Sequence, residues 1–161
     1  MTPAATAKKK NLRQILVFSL RGEEMALPIE SVREVLMMQL IHPLVQAPDF
    51  IEGVIHLRKF VLAVVSLRKR LGFTPCEDVS RERIIICKVN TMIIGLMVDN
   101  VSQVLTVPER DIQPAPDILS LQRSGHYVSG LARVGERVIT LLDIERVITR
   151  EELTRLSEVT A

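Results

Sequence analysis

The stretch that decides the fold is ILVFSLRGEEMALPIESVREVL, residues 15–36, because the chain repeats its pattern farther on. Residues 84–105, IIICKVNTMIIGLMVDNVSQVL, align with it without a gap at an offset of 69 residues. Apolar positions fall on apolar positions, and the polar pair Glu30-Ser31 falls on Asp99-Asn100. This match predicts an internal duplication.

A second match continues the repeat at an offset of 77 residues, so that Gly53 falls on Gly130. The segments paired in this way are 50–54 with 127–131 and 61–67 with 138–144. The larger offset places an eight-residue insertion between Leu105 and Tyr127. Two strand-rich segments could also share an apolar pattern by chance. That alternative is disfavoured because the register holds through the polar gaps and the two glycines occupy equivalent places.

Each copy contains five short apolar runs separated by glycine or proline turns, a pattern typical of β-strands. The predicted strands are 15–20, 25–29, 32–38, 50–57 and 60–67, then 83–89, 92–98, 101–107, 127–133 and 137–142. Closing such strands into barrels removes edges that would otherwise template aggregation. We therefore expect a mainly β protein of two small five-stranded barrels with a cleft between them.

The expected domain boundaries follow from the repeat. Residues 1–11 are predicted to be a flexible tail, and residues 12–150 the folded unit, with one lobe over about 12–72 and the other over about 83–150. A capping box of Thr149 and Glu152 predicts a helix in the C-terminal segment 151–161. Leu153, Leu156 and Val159 would give that helix one apolar stripe.

Composition excludes several classes of protein. The net charge of +2 gives no large single-sign field. Cys76 and Cys87 lack the clustered spacing of a zinc site or a disulfide framework, so both are expected to be ordinary reduced thiols. No apolar run approaches the roughly 20 residues needed to cross a bilayer. We expect a cytoplasmic protein without membrane insertion.

The sequence contains no catalytic constellation. His42, His56 and His126 are scattered and show no metal-ligand spacing. A glycine-rich phosphate loop and a nucleophile elbow are also missing from the sequence. The prediction is a protein that is not an enzyme and uses no cofactor or metal.

Apolar side chains near strand ends favour a binding function instead. Val32, Val35, Val98, Val101 and Val104 recur at spacings that cannot all point into one small barrel, which predicts an apolar groove for a partner. Arg58 is the one charge in an apolar stretch. It could bind a partner carboxylate or pair within the chain.

Five motifs occur in a specific order and spacing from about Gln14 to Ile148. They are Leu16-Val17-Phe18 before Gly22-Glu23-Glu24, Val32-Arg33-Glu34-Val35, Gly53-x-x-x-Leu57-Arg58, Gly95-Leu96-x-Val98-Asp99-x-Val101 and Ile112-x-Pro114-Ala115-Pro116. In these motifs the sequence resembles the CheW-like adaptor proteins of bacterial chemosensory arrays. The resemblance implies two SH3-like barrels that bridge the cytoplasmic hairpin tip of a chemoreceptor and the regulatory domain of a histidine kinase.

The resemblance also implies residue roles. The surface for receptor and kinase would include Val32, Glu34, Val35 and Arg58, with Gly53 supporting the backbone and Val98, Val101 and Val104 lining the lobe junction. Two segments depart from the family pattern. The usual Asn-Leu-Arg-Gly is His56-Leu57-Arg58-Lys59 here, and Pro-Val-Val-Asp-Leu is Ala63-Val64-Val65-Ser66-Leu67. With Lys59 in place of the family's glycine, the hairpin turn would lose conformational freedom. With Ser66 in place of the family's aspartate, a nearby arginine would lose a possible carboxylate partner.

Two other functions stay open at this stage. A small barrel could bind nucleic acid through the lysine tail and the basic run Arg68-Lys69-Arg70, although the charge is nearly balanced and stacking aromatics are few. An unrecognised hydrolase would depend on one of the three histidines.

Overall fold

The computed structural model describes residues 11–115 and 124–160, with side chains omitted at 124, 125 and 157–160. The strands are β1 (Leu12–Leu20), β2 (Glu23–Pro28), β3 (Val32–Met37), β4 (Ile51–Leu57), β5 (Phe60–Ser66), β6 (Arg83–Val89), β7 (Met92–Val98), β8 (Asn100–Pro108), β9 (Ile112–Pro114), β10 (Val128–Val134) and β11 (Arg137–Leu142). The α-helices are α1 (Leu67–Arg70), α2 (Ile144–Val147) and α3 (Arg150–Thr160). Over these residues, no helix has the length and apolar character to cross a membrane.

The strands form two sheets. Sheet one has the order β8-β1-β2-β11-β10-β9, and sheet two has the order β3-β6-β7-β5-β4. Neighbours are antiparallel except for β2 with β11 and β5 with β7, which are parallel. The ten predicted strands are present, and the additional strand β9 lies within the insertion of the second copy.

The two halves of the chain exchange strands, which differs from the predicted lobes. β3 comes from the first half but pairs with β6, and β8 comes from the second half but pairs with β1. The segments 12–72 and 83–150 therefore each contribute strands to both sheets. An apolar strand pattern specifies a face to be buried, not the strand that will be its neighbour, so the sequence could not predict this exchange.

The duplication predicted from the sequence is confirmed in the pairing details. Arg33 is the extra residue of a bulge where β3 pairs with β6. Ser102, which lies 69 residues later, is the extra residue of a bulge where β8 pairs with β1. Bulges insert one residue and bend the strand, so both copies bend the equivalent strand at the equivalent place.

The two equivalent glycines lie where another backbone comes close. A Cβ atom on Gly53 would be 2.1 Å from the carbonyl oxygen of His42, and one on Gly130 would be 2.5 Å from that of Gln113. Gly53 also has a φ of +147°, which L-residues rarely adopt. The same close approach therefore requires glycine in both copies.

Three apolar cores stabilise the molecule. One lies inside sheet one and includes Val17 and Ile139, and another lies inside sheet two and includes Ile55 and Ile84. The third and largest takes side chains from both sheets and is called the central core here; its members include Phe18, Leu27, Val65, Ile85 and Leu96. The prediction of an open cleft is wrong along this junction, because the chain's own side chains fill it.

The C-terminal helix begins with the predicted capping box. The backbone N–H of Glu152 donates to Thr149 Oγ1 at 3.2 Å, and the backbone N–H of Thr149 donates to Glu152 Oε1 at 2.8 Å. Leu153 and Leu156 pack into the central core, as the stripe predicted. The side chain of Val159 lies outside the described residues.

Candidate partner-binding surface

An exposed ion pair closes the barrel of sheet two. Glu34 lies on β3, and Arg58 lies in the two-residue turn between β4 and β5. Arg58 Nη1 donates to Glu34 Oε2 at 3.0 Å. Because β3 and β4 are the two edge strands of sheet two, this ion pair joins the edges of the barrel across its open side.

The pair is exposed enough to exchange partners. The Arg58 side chain is 69% exposed and that of Glu34 is 31% exposed. Surface ion pairs of this kind contribute only about 0–1 kcal/mol, because water and salt screen the attraction. The question that the sequence left open is answered for the isolated chain, since Arg58 pairs internally. The low cost of breaking that pair leaves its guanidinium available to a carboxylate on another protein.

The turn itself holds Arg58 in an unusual conformation. Arg58 has a φ of +56°, and Gly135, the equivalent residue 77 positions later, has a φ of +63°. Lys59 is not among the residues of positive φ. The expectation that Lys59 costs the turn a needed glycine is therefore wrong, because the left-handed position is the preceding one.

The five valines predicted to form one groove have three different environments. Val98 is only 1% exposed and belongs to the central core, so it does not offer a surface to a partner. Val32 and Val101 are half-buried and pack against that core. Val35 on β3 and Val104 on β8 remain 40% and 48% exposed. They lie on different sheets, so the single groove is replaced by two separate apolar positions.

Gly53 lies where strand β4 passes close to the preceding loop. It lets β4 approach the loop so closely that His42 and Val54 exchange two backbone hydrogen bonds of 2.8 Å. The rings of His42 and His56 are in edge-to-face contact, with 5.5 Å between their centroids. The unusual His56 is thus an exposed outer-face residue two positions before Arg58 and is not part of the core.

Ser66 keeps the local role of the missing carboxylate. Its hydroxyl accepts the backbone N–H of Lys69 at 3.3 Å and caps α1. In the second copy the equivalent Asp143 caps α2 in the same way. The expected loss of an arginine's partner does not occur at Arg68, because Asp99 pairs with it.

The basic run at α1 is neutralised within the chain. The pairs are Arg68 with Asp99, Lys69 with Glu52 and Arg70 with Glu152, at N–O distances of 2.5, 2.8 and 2.8 Å. The hydrogen bond with Asp99 raises the pKa of Arg68, and the hydrogen bond with Glu52 raises the pKa of Lys69. Cations already bound to carboxylates are poor phosphate ligands, which argues against a nucleic-acid site here.

A groove lies beside the Arg70–Glu152 pair, with Glu152 in its wall. It has a volume of about 380 Å³ and lies between the loop before β4 and helix α3, lined in part by Val45, Phe50 and Leu156. Its walls come from segments about a hundred residues apart in the sequence. No local pattern could have predicted it, because only tertiary packing brings the walls together.

Known proteins are similar to this chain in sequence and in fold. The family model of the CheW-like domain matches residues 14–152. The chain belongs to the CheW-like domain family. A chemotaxis protein CheW from Rhizobium meliloti is 37% identical over 94% of this chain and 97% of its own length, and one from Klebsiella aerogenes is 29% identical over 91% and 88%. The crystal structure of the scaffolding protein TtCheW from Thermoanaerobacter tengcongensis matches with a TM-score of 0.79 and 31% identity, covering 87% of this chain and 94% of that one.

Family membership confirms two predictions. The SH3-like double-barrel fold is that of the CheW scaffold structure, and the chemotaxis adaptor function is that of the named CheW relatives. The same comparisons give no support to nucleic-acid binding. They assign no residue of this chain to a partner, so the predicted site residues remain to be tested.

Proposed function

We propose that this chain is a non-enzymatic cytoplasmic adaptor that binds the hairpin tip of a chemoreceptor and the regulatory domain of a histidine kinase. Binding both at once transmits the receptor's signal to the kinase. The proposed contact surface is the open side of sheet two, made by Glu34, Val35 and Arg58. Val32 and Gly53 hold the backbone of that surface in place from the core side.

The observation that carries this proposal is the exposed Glu34–Arg58 pair at the edge of sheet two, with the exposed Val35 next to Glu34 along β3 and on the opposite face of that strand. An apolar side chain next to charges that are inexpensive to separate provides both affinity and specificity. Val104 on sheet one is the apolar position of the other barrel and would serve a second contact. Val98 and Val101 act through the central core and not by touching a partner.

Charge exchange tests the surface in the full-length chain. We would measure binding of a receptor hairpin-tip fragment and of a kinase regulatory domain, each by titration calorimetry. The wild-type chain is expected to bind both at tens of micromolar or tighter, and Arg58→Glu to weaken at least one by roughly tenfold. The double variant E34R/R58E restores the internal pair. It restores binding only if Arg58 acts through Glu34 and not through a partner carboxylate.

A matched control comes from the other barrel. Arg137 and Glu24 form a comparably exposed pair on sheet one. Arg137→Glu should leave binding unchanged, since it breaks a surface ion pair outside the proposed contact. The proposal fails if the wild-type chain binds neither fragment at tens of micromolar, or if Arg137→Glu and Arg58→Glu weaken binding equally.

A further inference from the structure

Three side chains that could bind a metal ion meet beside the crossover between the sheets. Cys76 and Glu82 lie on the connector between α1 and β6, and Asp99 lies between β7 of sheet two and β8 of sheet one. One ligand atom from each of the three lies within 4.8 Å of the others. The Cys76 Sγ and Asp99 Oδ1 atoms are 3.7 Å apart.

Glu82 is the anomaly in this cluster. Its residue is 3% exposed, and its buried Oε2 atom has no hydrogen-bond partner among residues 11–115 and 124–160. A buried carboxylate oxygen without a partner is costly, because water no longer solvates it. The Glu82 side chain has a hydrogen bond with the Cys76 thiol, but a thiol is a weak donor, whereas a cation at the cluster would satisfy the carboxylate.

The Asp99 carboxylate is fixed in place by hydrogen bonds from Arg68 and Arg21. Arg68 donates to both carboxylate oxygens, with an Nε–Oδ1 distance of 2.7 Å, and the backbone N–H of Arg21 donates to Oδ2 at 2.9 Å. Metal-binding carboxylates are commonly fixed by such outer hydrogen bonds. Arg68 also balances the charge of Asp99.

The charges of the cluster match a divalent ion. With Cys76, Glu82 and Asp99 ionised, the cluster carries three negative charges, and Arg68 beside Asp99 offsets one of them. One divalent ion would neutralise the remaining two, and a monovalent ion would not.

We propose that Cys76, Glu82 and Asp99 bind one divalent transition-metal ion of the zinc type. A thiolate combined with carboxylates suits Zn²⁺ or Co²⁺ and disfavours Mg²⁺ and Ca²⁺, which prefer oxygen ligands alone. In a tetrahedral site with a Zn–S bond of about 2.3 Å and Zn–O bonds of about 2.0 Å, sulfur and oxygen lie about 3.5 Å apart, close to the Cys76–Asp99 separation. Bound metal would fasten the connector to the strand crossover. The inference goes beyond the adaptor function and does not depend on it.

Cobalt provides a direct readout, because a Co²⁺–thiolate bond gives a near-ultraviolet charge-transfer band. We would titrate the full-length chain with Co²⁺ and then displace it with Zn²⁺. The band should appear at one equivalent, disappear in Cys76→Ser and persist in Cys87→Ala, which removes the other, fully buried thiol. His56→Asn serves as a background variant, because it breaks up the His42–His56 pair, which could bind metal by itself. The absence of a band in the wild-type chain, or its survival in Cys76→Ser, would overturn the proposal.

Glu82→Gln provides a second test that does not depend on the thiol. The amide keeps the shape of the side chain and removes the buried charge, so the metal-free variant should unfold at the same temperature as wild type or higher. Its affinity for Zn²⁺ should fall by roughly tenfold or more, and Zn²⁺ should raise its unfolding temperature less than that of wild type. Equal Zn²⁺ affinity in the two proteins would exclude Glu82 as a ligand and contradict the proposed site.

Discussion

The two barrels share one backbone plan but close their open sides with different chemistry. Sheet two has the Glu34–Arg58 pair at this place, whereas the equivalent residues of sheet one are Gln103 and Gly135. The turns match closely, since Arg58 and Gly135 have φ values of +56° and +63°. Duplication has therefore kept the conformation of the turn in both copies and placed charge on only one.

The comparison also shows the backbone strain that comes with a residue other than glycine in this turn. A left-handed residue other than glycine is strained by roughly 1–2 kcal/mol, because its Cβ crowds the following carbonyl. Gly135 avoids this strain and Arg58 does not. A glycine would relieve this strain, and the partner contact proposed for the exposed guanidinium of Arg58 gives a reason to keep the side chain there.

The largest expected effect concerns the feature that both barrels need. Gly53→Ala places a Cβ against the His42 carbonyl at a φ of +147°, so it should destabilise the chain by about 4 kcal/mol or more. Gly130→Ala meets Gln113 at 2.5 Å without a positive φ and should cost less, about 2 kcal/mol. Urea denaturation of both variants measures the two values. Equal losses of stability would mean that the positive φ of Gly53 adds nothing to the cost of the close contact. A smaller loss for Gly53→Ala than for Gly130→Ala would contradict the argument.

A smaller effect tests the difference between the barrels. Arg58→Gly relieves the strained turn and should stabilise the chain by about 1 kcal/mol, while weakening partner binding. Gly135→Arg makes the reverse change in sheet one. It should destabilise the chain by a similar amount, because the left-handed φ strains the new residue, while a Cβ there meets no atom within 4 Å and adds no clash. Thermal or urea unfolding gives the stabilities, and calorimetry with the kinase domain gives the binding. If Arg58→Gly lost stability, the internal ion pair would outweigh the strain, and Arg58 would have a structural role.

The local architecture could be predicted from the sequence because it is encoded locally. Apolar alternation specifies each strand, and the two glycines mark the same close approach in both copies. The capping box of Thr149 and Glu152 starts a helix where the pattern indicated. Strand alternation and capping depend on neighbours a few residues apart, and the repeat shows the strand pattern and the glycines twice.

The pairing of distant strands could not be predicted from the sequence. Alternation of apolar and polar residues specifies which face of a strand is buried and does not specify which strand lies next to it. Val98 and Val35 look alike in the sequence, yet the exchange of strands buries one in the central core and exposes the other. The contact of Arg58 with Glu34 depends on the pairing of β3 with β6, which the sequence does not encode locally. Likewise, Cys76 meets Asp99, 23 residues later in the sequence, only after folding.

The smallest expected effect on stability concerns the two exposed valines, which separate the barrels by function. Val35 and Val104 are equivalent in the repeat and similarly exposed, so Val35→Ala and Val104→Ala should each change the free energy of unfolding by less than about 0.5 kcal/mol. Their effects on binding should differ, because only Val35 lies on the edge strand that carries Glu34 of the Glu34–Arg58 pair. We expect Val35→Ala to weaken the partner that Arg58→Glu weakens, while Val104→Ala leaves that partner unaffected. Binding of the receptor fragment and of the kinase domain to each variant measures this directly. If both variants weakened the same partner equally, the two barrels would be interchangeable surfaces, and the charged pair would not decide where that partner binds.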